Sequence, residues 1–108
     1  QTCALPISPV VNISDGLIAG FRYLQFGLKS PSTVSAEIEA LEDLTVNVRT
    51  DKRDGKIIST FSIKKGEKNC SSKLTSSLIG KHAIYFEFLS KAGNKESEIA
   101  SFNRFTFD

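Results

Sequence analysis

The chain has 108 residues but no tryptophan, no methionine, one histidine, two cysteines and three prolines. Each shortage removes a class of answer. The single histidine, His82, has no second histidine, cysteine pair or carboxylate cluster at metal-ligand spacing, so we read it as structural rather than as a ligand or base. No run of about 18 apolar residues exists, which excludes a membrane-spanning helix. Charge of one sign is also scarce. Fourteen Lys and Arg against 12 Asp and Glu leave +2, too weak an excess to call for a nucleic-acid partner. The densest basic run, Lys64, Lys65 and Lys68, is broken by Glu67 and reads as a solvated loop. There is no glycine-rich phosphate loop, no repeat and no low-complexity tract. An initiating Met and a signal-like leader are missing too. The start, QTCALP, reads as a processed end or a cut inside a longer protein.

The two cysteines leave two readings open. A Cys3–Cys70 disulfide would close a long loop, worth about 4 kcal/mol in the chain-entropy model; the other reading is two free buried thiols. No sequence cue supplies a base for Cys70 as a nucleophile. Asn12-Ile13-Ser14 and Asn69-Cys70-Ser71 both fit the N-glycosylation pattern.

What is present is ordinary for one globular domain: 40% hydrophobic and 24% charged residues. The organising stretch is Gly80–Ser90, GKHAIYFEFLS. Ile84, Phe86 and Phe88 point one way; Ala83, Tyr85 and Glu87 point the other. That period of two marks a strand with one face in a core. Residues 1–11 contain Pro6 and Pro9, which disfavour a central strand, and read as an extended lead-in or linker. Asp15-Gly16 marks a turn. Strands are expected at Ile18–Leu28 with a bend at Gly20, at Thr33–Leu41, from Leu44 to Arg49, at Ile57–Ile63 and at Ile99–Phe107. In Thr33–Leu41, Val34, Ala36, Ile38 and Ala40 face inward and Ser35, Glu37 and Glu39 outward. Lys64–Ser72 reads as a long polar loop and Lys73–Leu78 as a short strand. The two outward glutamates are read as solubility, not as the paired carboxylates of glycoside hydrolysis. The sum is about seven or eight strands, turn signals at short intervals and no convincing helix, which means an all-β sandwich. Spacing alone does not separate a jelly roll from an immunoglobulin-like fold.

Four segments in order resemble one family. Asp15-Gly16 leads without a gap to Leu24-Gln25-Phe26-Gly27. Val46-Asn47-Val48-Arg49 is followed by Asp51, Asp54-Gly55, Ile58, Thr60 and Ile63. Then come Gly80-Lys81-His82-Ala83-Ile84-Tyr85-Phe86-Glu87-Phe88 and a closing Arg104-Phe105-Thr106-Phe107. Over residues 12–108 this pattern resembles the family 6 carbohydrate-binding modules. The resemblance implies a jelly-roll β-sandwich of two antiparallel sheets, non-catalytic, attached to a secreted glycoside hydrolase. Polysaccharide or oligosaccharide and the parent's catalytic domain would be its partners. Its place would be outside the cell, in the periplasm or on the cell surface.

The departures from the family carry as much information. Its first strand, with an acidic pattern that helps hold a structural calcium ion, is replaced by QTCALPISP. Asp108 remains where a carboxylate could contribute to such an ion. The two sugar-stacking rings of the family's best-known site fall at Asn12 and near Asn69, and its terminal amide near Ser101. Much of the affinity for a sugar comes from burying its C–H face on an aromatic ring. Hydroxyl contacts to polar groups net only about 0.5–1.5 kcal/mol each. That site should therefore be weak or lost. Some members use a concave sheet face instead, which Tyr23 and Tyr85 could line. The candidate ligand contacts are thus Tyr23, Tyr85, Asn12 and Asn69. The alternative is a structural sandwich that has lost sugar binding and packs on a catalytic domain or another subunit, covering an edge left open by the missing first strand.

Overall fold

The computed structural model describes residues 3–108, with side chains from residue 9 onward; Gln1 and Thr2 lie outside the described residues. The strands are β1 (Cys3–Ile13), β2 (Ile18–Gln25), β3 (Thr33–Ala40), β4 (Leu44–Thr50), β5 (Ile57–Ile63), β6 (Asn69–Lys73), β7 (Lys81–Ser90) and β8 (Ala100–Phe107). They form two four-stranded sheets, ordered β1-β8-β3-β6 and β2-β7-β4-β5. Every neighbouring pair is antiparallel. The expected all-β sandwich of two antiparallel sheets is what the chain forms.

Alternation decides what lies between the sheets. Val34, Ala36, Ile38 and Ala40 of β3 are buried, as are Leu44, Val46 and Val48 of β4. Ile84, Phe86 and Phe88 of β7 meet Phe102, Phe105 and Phe107 of β8 across the gap. The rings of Phe86 and Phe102 are 4.8 Å apart, those of Phe86 and Phe105 5.0 Å, and Phe21 lies 4.8 Å from Phe105. The β4–β5 hairpin is closed by Gly55, where a Cβ would come within 2.1 Å of the Thr50 carbonyl oxygen. Only glycine fits there.

Three expectations are corrected. First, residues 3–11 are not a lead-in but most of β1, paired with β8 from Cys3↔Phe107 to Ile13↔Ala100. The prolines exclude a central strand, but β1 is an edge strand, where a missing N–H is tolerated; the register shifts between Pro6 and Val10, around Pro9. Second, β8 is therefore paired on both sides, by β1 and β3, so no edge of it is left open. Third, the strand expected at Lys73–Leu78 lies at Asn69–Lys73 instead. β6 is a polar edge strand, and its only inward anchors are Cys70 and Ser72, too few to print a period on the sequence.

The cysteines are also settled. Cys3 and Cys70 lie on the opposite edge strands of one sheet. Three strand spacings, about 14 Å, separate those edges, twice the reach of a disulfide. Cys70 is free, its thiol donating to the Ala36 carbonyl at 3.5 Å. Burial pushes that thiol up to about 12, which leaves it neutral and unreactive.

His82 makes a hydrogen bond through each ring nitrogen. Nδ1 meets Asp51 Oδ1 at 2.9 Å and Nε2 meets the Ile79 carbonyl at 2.9 Å. The ring thus joins the β4–β5 loop to the β6–β7 connection. His82→Ala should cost about 1–3 kcal/mol, from two hydrogen bonds at about 0.5–1.5 each. Urea melts would show a lower midpoint at unchanged slope; an unchanged midpoint would remove the linking role.

Asp15 ties the β1–β2 turn to the far end of β7. Its Oδ1 accepts the Ser90 N–H at 2.8 Å and its Oδ2 accepts Lys95 Nζ at 3.0 Å. The Lys95 hydrogen bond first, then the Ser90 N–H, hold the carboxyl below its ordinary value of 3.8. A depressed carboxylate stabilises the fold above its unfolded value and loses that contribution as pH falls through its folded one. Amide exchange at Ser90 should therefore be steady from neutral pH down to about 4 and accelerate below it, beyond the intrinsic pH trend. An Asp15→Asn variant should not show this acid limb.

Candidate functional site

The outer face of β2-β7-β4-β5 carries a connected network of polar side chains. Tyr85 on β7 stands opposite Gly20 on β2 and Arg49 on β4. The glycine makes room for the ring. A Cβ at Gly20 would lie 2.6 Å from Tyr85 Cε1 and 2.8 Å from Cδ1, so the ring leans over bare backbone. Two residues further along the same face, Glu87 stands opposite Asn47. Its Oε1 accepts from Arg49 Nη2 at 3.1 Å, Arg49 Nε at 3.3 Å and Asn47 Nδ2 at 3.1 Å. Arg49 Nη1 in turn donates to the Gly55 carbonyl at 2.8 Å, and Thr60 Oγ1 donates to Asn47 Oδ1 at 3.1 Å. Glu87 Oε2 has no partner among the described residues. With Arg49 and Glu87 about one-fifth exposed, this network is held rather than floppy. It presents one oriented carboxylate oxygen beside a half-buried aromatic ring.

Tyr23 lies on β2, in the gap between the Phe21↔Ile84 and Leu24↔His82 pairs, and is 63% exposed. Its alternation with buried Leu24 turns it to the outer side. It is three residues from Gly20, hence about 10 Å along the strand from the Tyr85 position. The two tyrosines thus belong to one face.

Asn12 and Asn69 do not join them. Both are on the other sheet, on its opposite edges, with β8 and β3 between them. Asn12 has a left-handed φ of 60° and its N–H donates to Glu98 Oε2 at 2.6 Å, a bond that shapes the backbone. Asn69 opens β6 opposite Glu37. Asp108 closes β8: its carbonyl accepts the Ser32 and Thr33 N–H groups and its own N–H donates to Thr33. No three His, Cys, Asp or Glu side chains gather into a metal-binding group among the described residues. Calcium takes about six to eight oxygens, usually including several carboxylates.

Arg49, Asn47, Glu87 and Thr60 escaped the sequence reading as site residues. Alternation alone turned Asn47, Arg49 and Glu87 outward. The pairing of β4 with β7, which brings them together, spans some forty residues of chain, |i−j| being 40 and 38 for the two contacts to Glu87. Local pattern carries no trace of that.

No protein-family model matches the chain, and no curated protein matches its sequence. Solved structures do. A family 6 carbohydrate-binding module whose binding sub-sites were dissected by crystallography and calorimetry superposes with TM-score 0.77 at 16% identity, covering 99% of this chain and 81% of that one. A family 6 module from Clostridium cellulolyticum, in complex with xylose, gives TM-score 0.74 at 21% identity over 99% and 86%. A glycoside hydrolase family 43 arabinoxylan arabinofuranohydrolase from Bacillus subtilis, in complex with cellotetraose, gives TM-score 0.79 at 20% identity. That match covers 92% of this chain, which spans about one-fifth (20%) of the enzyme. At such identities the likeness speaks for the fold, and it agrees with the strand order and antiparallel pairing: this chain has the β-sandwich fold of the family 6 carbohydrate-binding modules.

Proposed function

We propose that this is a non-catalytic carbohydrate-binding domain that holds neutral oligosaccharide or polysaccharide on the outer face of β2-β7-β4-β5. It would serve as an accessory unit of a glycoside hydrolase working outside the cytoplasm. The observation that carries this reading is the pairing of Tyr85 with a pre-oriented Glu87. The ring offers apolar surface to a sugar's C–H face. Glu87 Oε2 accepts a sugar hydroxyl without reorganising, because Arg49 and Asn47 already hold the carboxylate. Tyr23, about 10 Å away along β2, extends the contact for a chain lying along the strand. A carboxylate tied to a guanidinium among hydroxyls and amides suits binding better than proton transfer.

Affinity should be modest, about 10 µM to a few mM, or −7 to −3.5 kcal/mol. Calorimetry with xylo-, gluco-, arabino- and galacto-oligosaccharides tests it. Tyr85→Ala should weaken binding about 10- to 100-fold while leaving the melting curve close to wild type. Binding that survives Tyr85→Ala and Glu87→Gln alike would remove this face from the reading. Absence of any binding would favour the structural role, in which exposed Leu28 (94%) and Ile79 (51%) would be covered by a partner.

A further inference from the structure

The opposite sheet carries a second, chemically different surface. On the outer side of β8-β3-β6 the register aligns two rows. Thr106, Ser35 and Ser71 stand in one; Arg104, Glu37 and Asn69 stand in the next. All six line one open groove of about 350 Å³. Rows two residues apart are separated by about 7 Å, and three strands span about 9.5 Å, so the tile has the footprint of a sugar residue. It has no aromatic side chain. One row is purely hydroxyl. The other combines a guanidinium, a carboxylate and an amide.

The charged pair behaves unexpectedly. Arg104 and Glu37 are direct cross-strand neighbours of opposite charge, an arrangement that ordinarily yields an ion pair. No such bridge forms among the described residues. Glu37 Oε2 accepts Asn103 Nδ2 at 2.9 Å instead, and exposed Arg104 is left with no acceptor among the described residues. Asn103 and Arg104 both fall where the β3–β8 register shifts, between Glu37↔Arg104 and Ile38↔Phe102. That irregularity lets Asn103 reach the glutamate and frees the guanidinium to face the groove.

We propose that this groove binds a carboxylated sugar, a uronic acid unit of an acidic polysaccharide. The geometry sets its orientation. A planar guanidinium takes a carboxylate through two parallel N–H···O bonds. The acid group therefore lies on the β8 side, away from Glu37, which would repel it. The ring hydroxyls lie over β3 and β6. There Glu37 accepts from one of them, and Ser35, Ser71, Thr106 and Asn69 both donate and accept. Neutral sugars lack the group that Arg104 requires. This surface is independent of the Tyr85 face, so the protein would hold two polysaccharides of different charge on its two sides.

The test is titration of the intact protein with tetragalacturonate, followed by calorimetry and amide chemical shifts, beside neutral xylotetraose and sodium acetate. Tetragalacturonate should shift the amides of Ser35, Glu37, Asn69, Ser71 and Arg104. Arg104→Gln should weaken it at least tenfold, Arg104→Lys by several-fold because the two-pronged contact is lost, and Ser35→Val by several-fold. Tyr85→Ala should leave it unchanged while weakening neutral-sugar binding at least tenfold, so the two faces succeed or fail separately. Equal affinity in Arg104→Gln would overturn the proposal. So would shifts confined to the Lys64–Lys68 run, which would mark unspecific polyanion attraction, or acetate binding as tightly as the oligomer, which would remove the sugar from the recognition.

Discussion

Phe102→Ala should lower the stability of this protein by about 3–5 kcal/mol, the range for truncating a fully buried phenylalanine. The residue is fully buried on β8, a strand paired on both sides. Its ring lies 4.8 Å from Phe86, 5.6 Å from Phe88 and 6.0 Å from both Phe21 and Phe105. Four rings from both sheets thus lose a partner at once, and none can close the gap without moving a strand. A domain of this size holds only about 5–15 kcal/mol in total, so the variant should be close to unfolding at physiological temperature. Urea unfolding at 25 °C, read as a midpoint shift at constant slope, measures it. Leu28→Ala is the matched control: 94% exposed, it should stay within about 0.5 kcal/mol of wild type. If Phe102→Ala cost no more than Leu28→Ala, the two sheets would not pack through β8 as described.

If the proposed Tyr85 face binds neutral sugar, Gly20→Ala should cost it about 10- to 100-fold in affinity, as much as Tyr85→Ala. The added methyl would sit 2.6 Å from Cε1 of Tyr85, far inside van der Waals contact, so the ring must swing away. Fully burying an aromatic side chain contributes about 1.5–3 kcal/mol, and losing it converts to that range of dissociation constants. Stability should change little, since Gly20 is an exposed position on an edge strand. Tyr85→Phe keeps the ring and should bind within a few-fold of wild type. Calorimetry with the best neutral oligosaccharide distinguishes the cases. Unchanged affinity in Gly20→Ala would show that the ring is not the platform.

Much of the architecture was legible without coordinates, for a physical reason. The alternation in β3, β4 and β7 reports which side of each strand meets water. A strand buried on one face leaves that period in the sequence wherever its inward residues are large and apolar. Residues Val34 to Ala40 and Ile84 to Phe88 show it plainly. The strands misread were those whose place depends on being at an edge. β1 contains prolines, tolerable only because one side of it is unpaired. β6 is polar because it contributes little to the core. Direction alone also put Tyr23 and Tyr85 on outward-facing positions, while strand pairing put Asn12 and Asn69 on the other sheet.

The amino-acid sequence by itself determined the strand character of most elements and the inward faces of β3, β4 and β7. Tertiary structure alone decided that Cys3 and Cys70 lie too far apart to bond, that β1 pairs with β8, that Glu87 is held by Arg49 and Asn47, and that Arg104 is freed by Asn103. Each of these rests on which strands become neighbours. That choice is made by burying two apolar faces against each other across long stretches of chain, and no local pattern records it.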